Sequence, residues 1–207
     1  MSMMQQILPV AGQILLLAVL FAMLAEKRVK DVRKRKLIVA VLLVLCLFVP
    51  VNGLSISQWV RSALGDLSVL TVAILASIVA QRLFKAHLLS PDARKNLLPG
   101  IALVGVLFYP LALGFGPVDP YAFGFAPVWM TVLLVLASVM GWLSGRRDLA
   151  VILLLPVVAF NLQLLESNNL WDYLLDPILV AYAMVQVLKS MNFSYFKLRF
   201  SAAKVKN

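Results

Sequence analysis

The sequence has little of the two residues that most often build catalytic and metal sites. Its 207 residues include one histidine, His87, and one cysteine, Cys46. A single histidine excludes a His-rich metal site and paired haem ligands. A single cysteine excludes an intrachain disulfide. The Gly-x-Ser-x-Gly, His-Glu-x-x-His and P-loop motifs are also absent from the sequence. We therefore expect no catalytic residue, no bound metal and no cofactor.

Charge is scarce as well, which excludes an ordinary soluble domain. Only 14% of the residues are charged and 62% are hydrophobic, whereas soluble domains are roughly a quarter charged and about half apolar. The mean hydropathy is +0.95. At about 20 residues for each membrane-spanning helix, the length allows at most about seven or eight spans. The composition predicts an all-α polytopic membrane helical bundle that forms one integral membrane domain over residues 1–207.

Seven apolar segments are the predicted transmembrane helices. They alternate with loops that are either strongly basic or acidic to neutral. The predicted spans are 7–25, 37–53, 66–80, 97–113, 128–143, 149–165 and 177–188. The basic segments are 26–36, 81–96, 145–148 and the C-terminal tail, and the outer loops are 55–65, 114–127 and 166–176.

The distribution of basic residues predicts the orientation. Eighteen of the 19 lysines and arginines lie in the basic segments, and only Arg61 lies in an outer loop. Because positive residues concentrate in cytoplasmic loops, we expect the N-terminus outside, the C-terminus in the cytoplasm and a multi-pass protein of the bacterial cytoplasmic membrane. No basic residue precedes the first span, so we expect an uncleaved first helix rather than a signal peptide.

The net charge of +10 has two possible sources. Nucleic-acid binding requires basic residues clustered on a soluble surface and interleaved with aromatic side chains, a pattern that this sequence lacks. The basic residues instead directly flank apolar spans, where they contact anionic headgroups. We therefore expect the lipid bilayer, and not nucleic acid, to be the main partner.

The acidic loop 166–176 contains the main candidate contact residues. If it is helical, Glu166, Asn169, Asp172 (or Tyr173) and Asp176 recur at spacings of three and four, so the three carboxylates share one face. This face could contact a cation, a basic partner surface or an amine headgroup. Alternatively, Asp176 caps the last span, while Trp171 and Tyr173 anchor the membrane interface.

Two further outer residues are candidate contacts for a partner or a lipid headgroup. Asp119 lies in a loop rich in glycine, proline and aromatic residues, which could line a groove for a lipid or sugar or form an interfacial belt. Arg61 could hold a phosphate headgroup or extend its charge from the membrane to the interface. Its spacing of five from Asp66 does not place the two charges well for pairing within one helix.

The leading functional hypothesis is a non-catalytic membrane subunit or accessory protein that serves envelope lipid or polysaccharide biogenesis. Its partner would be another membrane protein or a second copy of the chain. One alternative is a small transporter or lipid translocase, with Asn161, Gln163 and Gln186 along its path. A second is a membrane enzyme that acts on a lipid-linked substrate through the outer carboxylates.

Overall fold

The chain folds almost entirely into helices. The computed structural model describes the backbone of residues 3–204 and the side chains of residues 5–191. Helices account for 75% of the structure, which confirms the all-α prediction. The α-helices of this described region are α1 Met3–Glu26, α2 Val32–Phe48, α3 Ile56–Leu64, α4 Val69–Val79, α5 Pro91–Ala112, α6 Val128–Leu143, α7 Arg147–Asn161, α8 Leu170–Leu174 and α9 Pro177–Lys204.

Short elements lie between several of these helices. Strands β1 (Pro50–Val51) and β2 (Leu54–Ser55) form an antiparallel hairpin. A π-helical turn, Ala80–Phe84, continues α4, and a 3-10 turn, Tyr121–Gly124, lies between α5 and α6.

The hairpin corrects the predicted end of the second span. We expected that span to run to Gly53, but α2 ends at Phe48. Pro50, which cannot supply a helical amide donor, follows soon after. Asn52 and Gly53 have φ values of 52° and 85°, the left-handed pair that a tight hairpin turn requires. The Asn-Gly dipeptide is therefore the sequence signal for the hairpin.

Other helix boundaries also differ from the predicted spans. The sixth predicted span ends at 165, but α7 stops at Asn161. The fourth begins at 97, whereas α5 starts six residues earlier, where the Ser90 side chain accepts a hydrogen bond from the Ala93 amide. The last span continues well beyond 188 as α9. The predicted span 128–143 coincides with α6.

Helix α4 forms the core of the bundle. It packs against α1, α7, α8 and α9, and its buried side chains point in several directions around the axis. This agrees with its sequence, because a helix that is apolar on all sides is stable only when it is surrounded. The buried residues of α4 are Val69, Leu70, Thr71, Ile74, Leu75, Ser77 and Ile78.

Three basic segments meet at one end of the bundle. Arg82 forms an ion pair with Glu26, which connects the first and second basic segments. The Ser90 amide donates to the Asp148 carboxylate at 2.8 Å, which connects the second and third. Hydrogen bonds from Ser90 lower the pKa of that carboxyl group.

The outer loops meet at the opposite end of α4. The Ser68 amide donates to Asp176 at 2.9 Å, and the Tyr121 hydroxyl donates to Asp172 at 3.0 Å. These contacts connect the start of α4, the 3-10 turn and the acidic loop. The bundle thus has one basic and one acidic end.

The bundle exposes long apolar surfaces. Helices Gln5–Glu26 and Pro91–Ala112 are long and apolar enough to cross a membrane, and Val69–Phe84, Val128–Leu143 and Pro177–Met191 are shorter apolar helices. On α6, Leu133, Met140 and Leu143 are 66%, 68% and 80% exposed. Soluble monomers rarely expose apolar surface on this scale, so these features support association with a membrane.

Candidate functional site

The structure does not bring the three acidic loop residues onto one helical face. Within 166–176, only Leu170–Leu174 is helical. The three carboxylates therefore do not lie on one continuous helix, as a shared face would require. The Asn169 side chain begins this short helix by accepting a hydrogen bond from the Trp171 amide at 2.9 Å. Glu166 lies before the helix and Asp176 after it, and the surroundings of the carboxylates differ.

Asp176 is an internal cap shared by two helices. Its Oδ1 accepts a hydrogen bond from the Leu179 amide at 2.8 Å in the first turn of α9, which confirms the capping prediction. Its Oδ2 accepts from the Ser68 amide at 2.9 Å and from the Thr71 hydroxyl at the start of α4. Asp176 is only 7% exposed, so its carboxylate is not an outer contact surface.

Asp172 connects the acidic loop to the 3-10 turn. Its Oδ2 accepts hydrogen bonds from the Tyr121 hydroxyl at 3.0 Å and from the Ser167 hydroxyl. Partial burial, together with the hydrogen bond and the negative charge of Asp172, raises the pKa of Tyr121 to about 12. A Cβ atom on Gly124 would overlap the Asn169 side chain, so a side chain there would force the two loops apart.

Tyr173 is not the interfacial anchor that we expected. It is fully buried, and its hydroxyl donates to the Leu165 carbonyl at 3.0 Å. Trp171 is partly exposed, donates from Nε1 to the Pro120 carbonyl at 2.8 Å and packs on Phe108, with ring centroids 4.4 Å apart. Both side chains connect the outer loops to each other.

Arg61 connects two outer segments. It pairs with Asp66 through bonds of 2.7 Å and 3.2 Å, because α3 ends before Gly65 and the chain turns back there with φ 73°. The hydrogen bond with Asp66 raises the pKa of Arg61. The Nη2 atom of Arg61 also lies 3.8 Å from Oε1 of Glu166. Arg61 and Asp66 are poorly placed to pair within one continuous helix, but the turn after α3 brings their side chains together.

The remaining outer candidate has a local role. Asp119 accepts a hydrogen bond from the Tyr121 amide at 2.9 Å, which stabilises its own turn. The outer candidates are therefore engaged mainly with the protein. Among the residues whose side chains are described, no group of three or more histidine, cysteine, aspartate or glutamate side chains could hold a metal ion.

The polar residues proposed for a transport path are not aligned. Asn161 donates to the Val157 carbonyl of its own helix at 2.7 Å. Gln163 lies in the loop after α7 with φ 49°. Gln186 lines a large cavity that opens near the basic end.

That cavity is a groove of about 820 Å³ between α1, α4 and α9. Its volume lies within the range of small-molecule sites, about 300–1,000 Å³. Its walls are apolar along most of their length and carry contributions from all three helices. We call this site the basal groove; its apolar wall comprises Leu16, Val19, Leu20, Met23, Ile74, Leu75, Ile78, Ile178, Leu179 and Val185.

The mouth of the basal groove is strongly cationic. Five basic side chains and one carboxylate lie there, so the local formal charge is +4. Glu26 forms an ion pair with Arg35 at 3.3 Å and a second with Arg82. The mouth comprises Glu26, Arg35, Arg82, Lys85, Arg94 and Lys189.

Two guanidinium groups at the mouth retain unused donors. Arg35 is 8% exposed and bonds Glu26 and the Val29 carbonyl. Arg94 donates to Ser77 at 3.2 Å and to Gln81 at 3.4 Å. The Nε–H groups of both arginines are buried without a partner among the described residues. Both Nε atoms are buried, so the feature of the mouth that attracts an anion is its net positive charge.

The π-helical turn shapes this mouth. It ends α4, and the following residue, Lys85, adopts a left-handed backbone with φ 57°. Arg82 lies within the turn and Lys85 at its end, and both line the groove. Departures of this kind from α-helical hydrogen bonding often occur at functional sites.

No protein-family model, curated protein or solved structure matches this chain. The assignment of the candidate site therefore rests on the geometry of this chain alone.

Sequence reasoning missed the basal groove. The basic residues at its mouth come from three separate basic segments, and each was explained by the rule for cytoplasmic loops. One available signal was the row Leu16, Val19, Leu20 and Met23, a helical stripe that ends at an acid, Glu26. Its partner residues on α4 and α9 could not be identified without knowing which helices are neighbours.

Proposed function

We propose that this protein spans the bacterial cytoplasmic membrane seven times and binds an anionic lipid in the basal groove. It would act as a non-catalytic component of an assembly that serves envelope lipid or polysaccharide biogenesis. The observation that carries the lipid proposal is the combination of an apolar groove with a mouth that carries five basic side chains and one carboxylate.

The separation of basic and acidic ends supports the membrane orientation. The segments that join at each end are those predicted to lie on the same side of the membrane. The exposed apolar side chains of α6 lie between these ends and would contact lipid. The proposed topology has the N-terminus outside and the C-terminus in the cytoplasm.

The groove is long enough for an extended acyl chain. From Thr71 to Arg82, α4 and its π-helical turn rise about 16 Å at about 1.5 Å per residue. At the outer end, Asp176 ties the start of α4 to that of α9. A lipid could therefore extend its chain along the groove with its phosphate at the cytoplasmic mouth.

The charges at the mouth match a lipid phosphate. Arginine recognises phosphate oxygens through several parallel donors, and Arg35 and Arg82 share the Glu26 carboxylate. A bound phosphate would compete with this carboxylate for the same donors. Consequently, Glu26 and the arginines should affect affinity in opposite directions.

This relation provides the test. Native mass spectrometry should measure the binding of a defined anionic phospholipid to the detergent-purified protein. Arg82→Gln and Arg35→Gln should each weaken binding by about tenfold or more, since a hydrogen bond to a charged group contributes about 1.5–3 kcal/mol. Glu26→Gln should strengthen binding. The matched control is Arg33→Gln, because Arg33 is an exposed cation of the same segment outside the groove.

If Arg33→Gln and Arg82→Gln weakened lipid binding equally, the binding would depend only on the overall surface charge. This result would contradict the proposal. If Arg35→Gln fails to fold, Arg82→Gln still decides, because its side chain is 34% exposed and its ion pair is at the surface.

A further inference from the structure

A second cavity adjoins the cationic mouth of the basal groove. Its volume is about 260 Å³. Gln81, Arg94 and Gln186 line both cavities, so a molecule at Arg94 borders both spaces. We call this second cavity the head pocket; its polar lining also includes His87 and Lys95.

Three regions of the two adjoining cavities suit the three parts of a lipid: the hydrocarbon chain, the phosphate and the headgroup. The apolar wall of the basal groove suits a hydrocarbon chain. Arg94 lines both cavities and lies where they meet, so its positive charge suits the phosphate. The head pocket then accommodates whatever the phosphate carries on its other side. A lipid with a bare phosphate would leave this polar pocket unused.

The charges of the head pocket select among headgroups. Arg94 and Lys95 are cationic, and no carboxylate occurs among the described residues that line the pocket. An ammonium headgroup would therefore meet like charge without a counter-ion. Hydroxyl groups, by contrast, can bond to the side-chain amides of Gln81 and Gln186 and to the imidazole of His87.

The pocket has room for a small headgroup. Its volume of about 260 Å³ is many times the roughly 10–15 Å³ that one water requires. A glycerol or another small polyol therefore fits this space.

We infer that the head pocket selects a lipid phosphodiester with a small, uncharged polyol headgroup. This inference depends on the proposed lipid-binding function, and it names the class of lipid. The phosphate would lie at the cationic mouth of the basal groove, with Arg94 on the side of the head pocket. The polyol would lie in the head pocket and the hydrocarbon chains along the basal groove.

Competition among lipids with identical acyl chains tests this inference. The probes are phosphatidylglycerol, phosphatidic acid, phosphatidylethanolamine and phosphatidylcholine, measured by native mass spectrometry on the purified full chain. Phosphatidylglycerol should bind about tenfold more tightly than the other three. Lys95→Glu should reduce this preference and favour phosphatidylethanolamine, because it places a carboxylate beside the headgroup.

The matched control is Lys27→Glu. Lys27 is exposed, lies in a basic segment and lines neither cavity, so this change alters the total charge by the same amount. The headgroup preference should survive it.

The outcomes separate the two proposals. Binding that depends on Arg82 but shows no headgroup preference overturns the inference and leaves the proposed function in place. Equal changes of the preference in Lys27→Glu and Lys95→Glu would likewise overturn the inference alone. Absence of binding by all four lipids overturns both.

Discussion

Asp176 holds the starts of two helices with one buried carboxylate. Asp176→Ala removes three acceptor contacts, to Ser68, Thr71 and Leu179. A lost helix cap costs about 0.5–2 kcal/mol, and an unsatisfied buried donor costs about 1–3 kcal/mol. We therefore expect Asp176→Ala to lower the free energy of unfolding by about 2–4 kcal/mol, measured by denaturation in detergent micelles.

Asp119→Ala is the control for this prediction. Asp119 accepts a hydrogen bond from the Tyr121 amide within its own exposed turn, so its loss should cost about 0.5 kcal/mol or less. Equal stability losses in the two variants would contradict the role of Asp176 as a shared cap.

The burial of Tyr121, together with its hydrogen bond to Asp172, makes stability depend on alkaline pH. The pKa of Tyr121 is about 12 in the folded protein and near 10 in an unfolded chain. The folded state therefore binds this proton more tightly, so the contribution to stability is complete below pH 10 and declines between pH 10 and about pH 12. The stability difference between wild type and Tyr121→Phe should shrink over this range. A difference that is constant to pH 12 would contradict the contact.

The sequence identified some of these residue roles and not others. Asp176 followed by Pro177 is a local cap signal, so its bond to Leu179 was predictable. Its contacts with Ser68 and Thr71 cross more than one hundred residues of sequence. For the same reason, Trp171 and Tyr173 looked like interfacial anchors, because their partners were not known.

At the level of elements, α5 and α9 approach closely at a glycine. A Cβ atom on Gly105 would lie 2.5 Å from both Cγ atoms of Val180. Gly105→Ala should therefore force the helices apart and destabilise the protein by about 1–3 kcal/mol. Thermal unfolding in detergent would measure this loss, and Val180→Ala should reduce it in the double variant.

Gly100 supplies the matched control on the same helix. No atom lies within 4 Å of a Cβ built there, and alanine favours helix over glycine by up to about 1 kcal/mol. Gly100→Ala should be neutral or slightly stabilising. A similar loss at both positions would indicate that the contact with Val180 does not control the result.

Helical elements were more predictable than their arrangement. Apolar runs located the main helices, although the predicted fourth span began six residues after the start of α5. The Asn52-Gly53 hairpin was missed because the apolar stretch was read through Pro50. The basal groove depends on which helices pack together, and no local pattern gives this information.

At the scale of the whole molecule, the proposed topology assigns each end to one side of the membrane. The single cysteine, Cys46, is buried, so Cys46→Ala provides a background for labelling. On this background, Asn168→Cys should react with a membrane-impermeant thiol reagent in intact cells. Lys27→Cys should react only after the cells are opened. Both positions are exposed, so the reverse pattern would contradict the orientation.

The central claim is that an anionic lipid lies in the basal groove with its phosphate at the cationic mouth. The most direct test adds one equivalent of phosphatidylglycerol with a photoactivatable acyl chain to the purified protein and maps the crosslinked residues. We predict crosslinks on the groove wall, at Leu20, Leu75 and Leu179, and their loss in Arg82→Gln. Crosslinks confined to the exposed surface of α6 and unchanged in Arg82→Gln would contradict the claim.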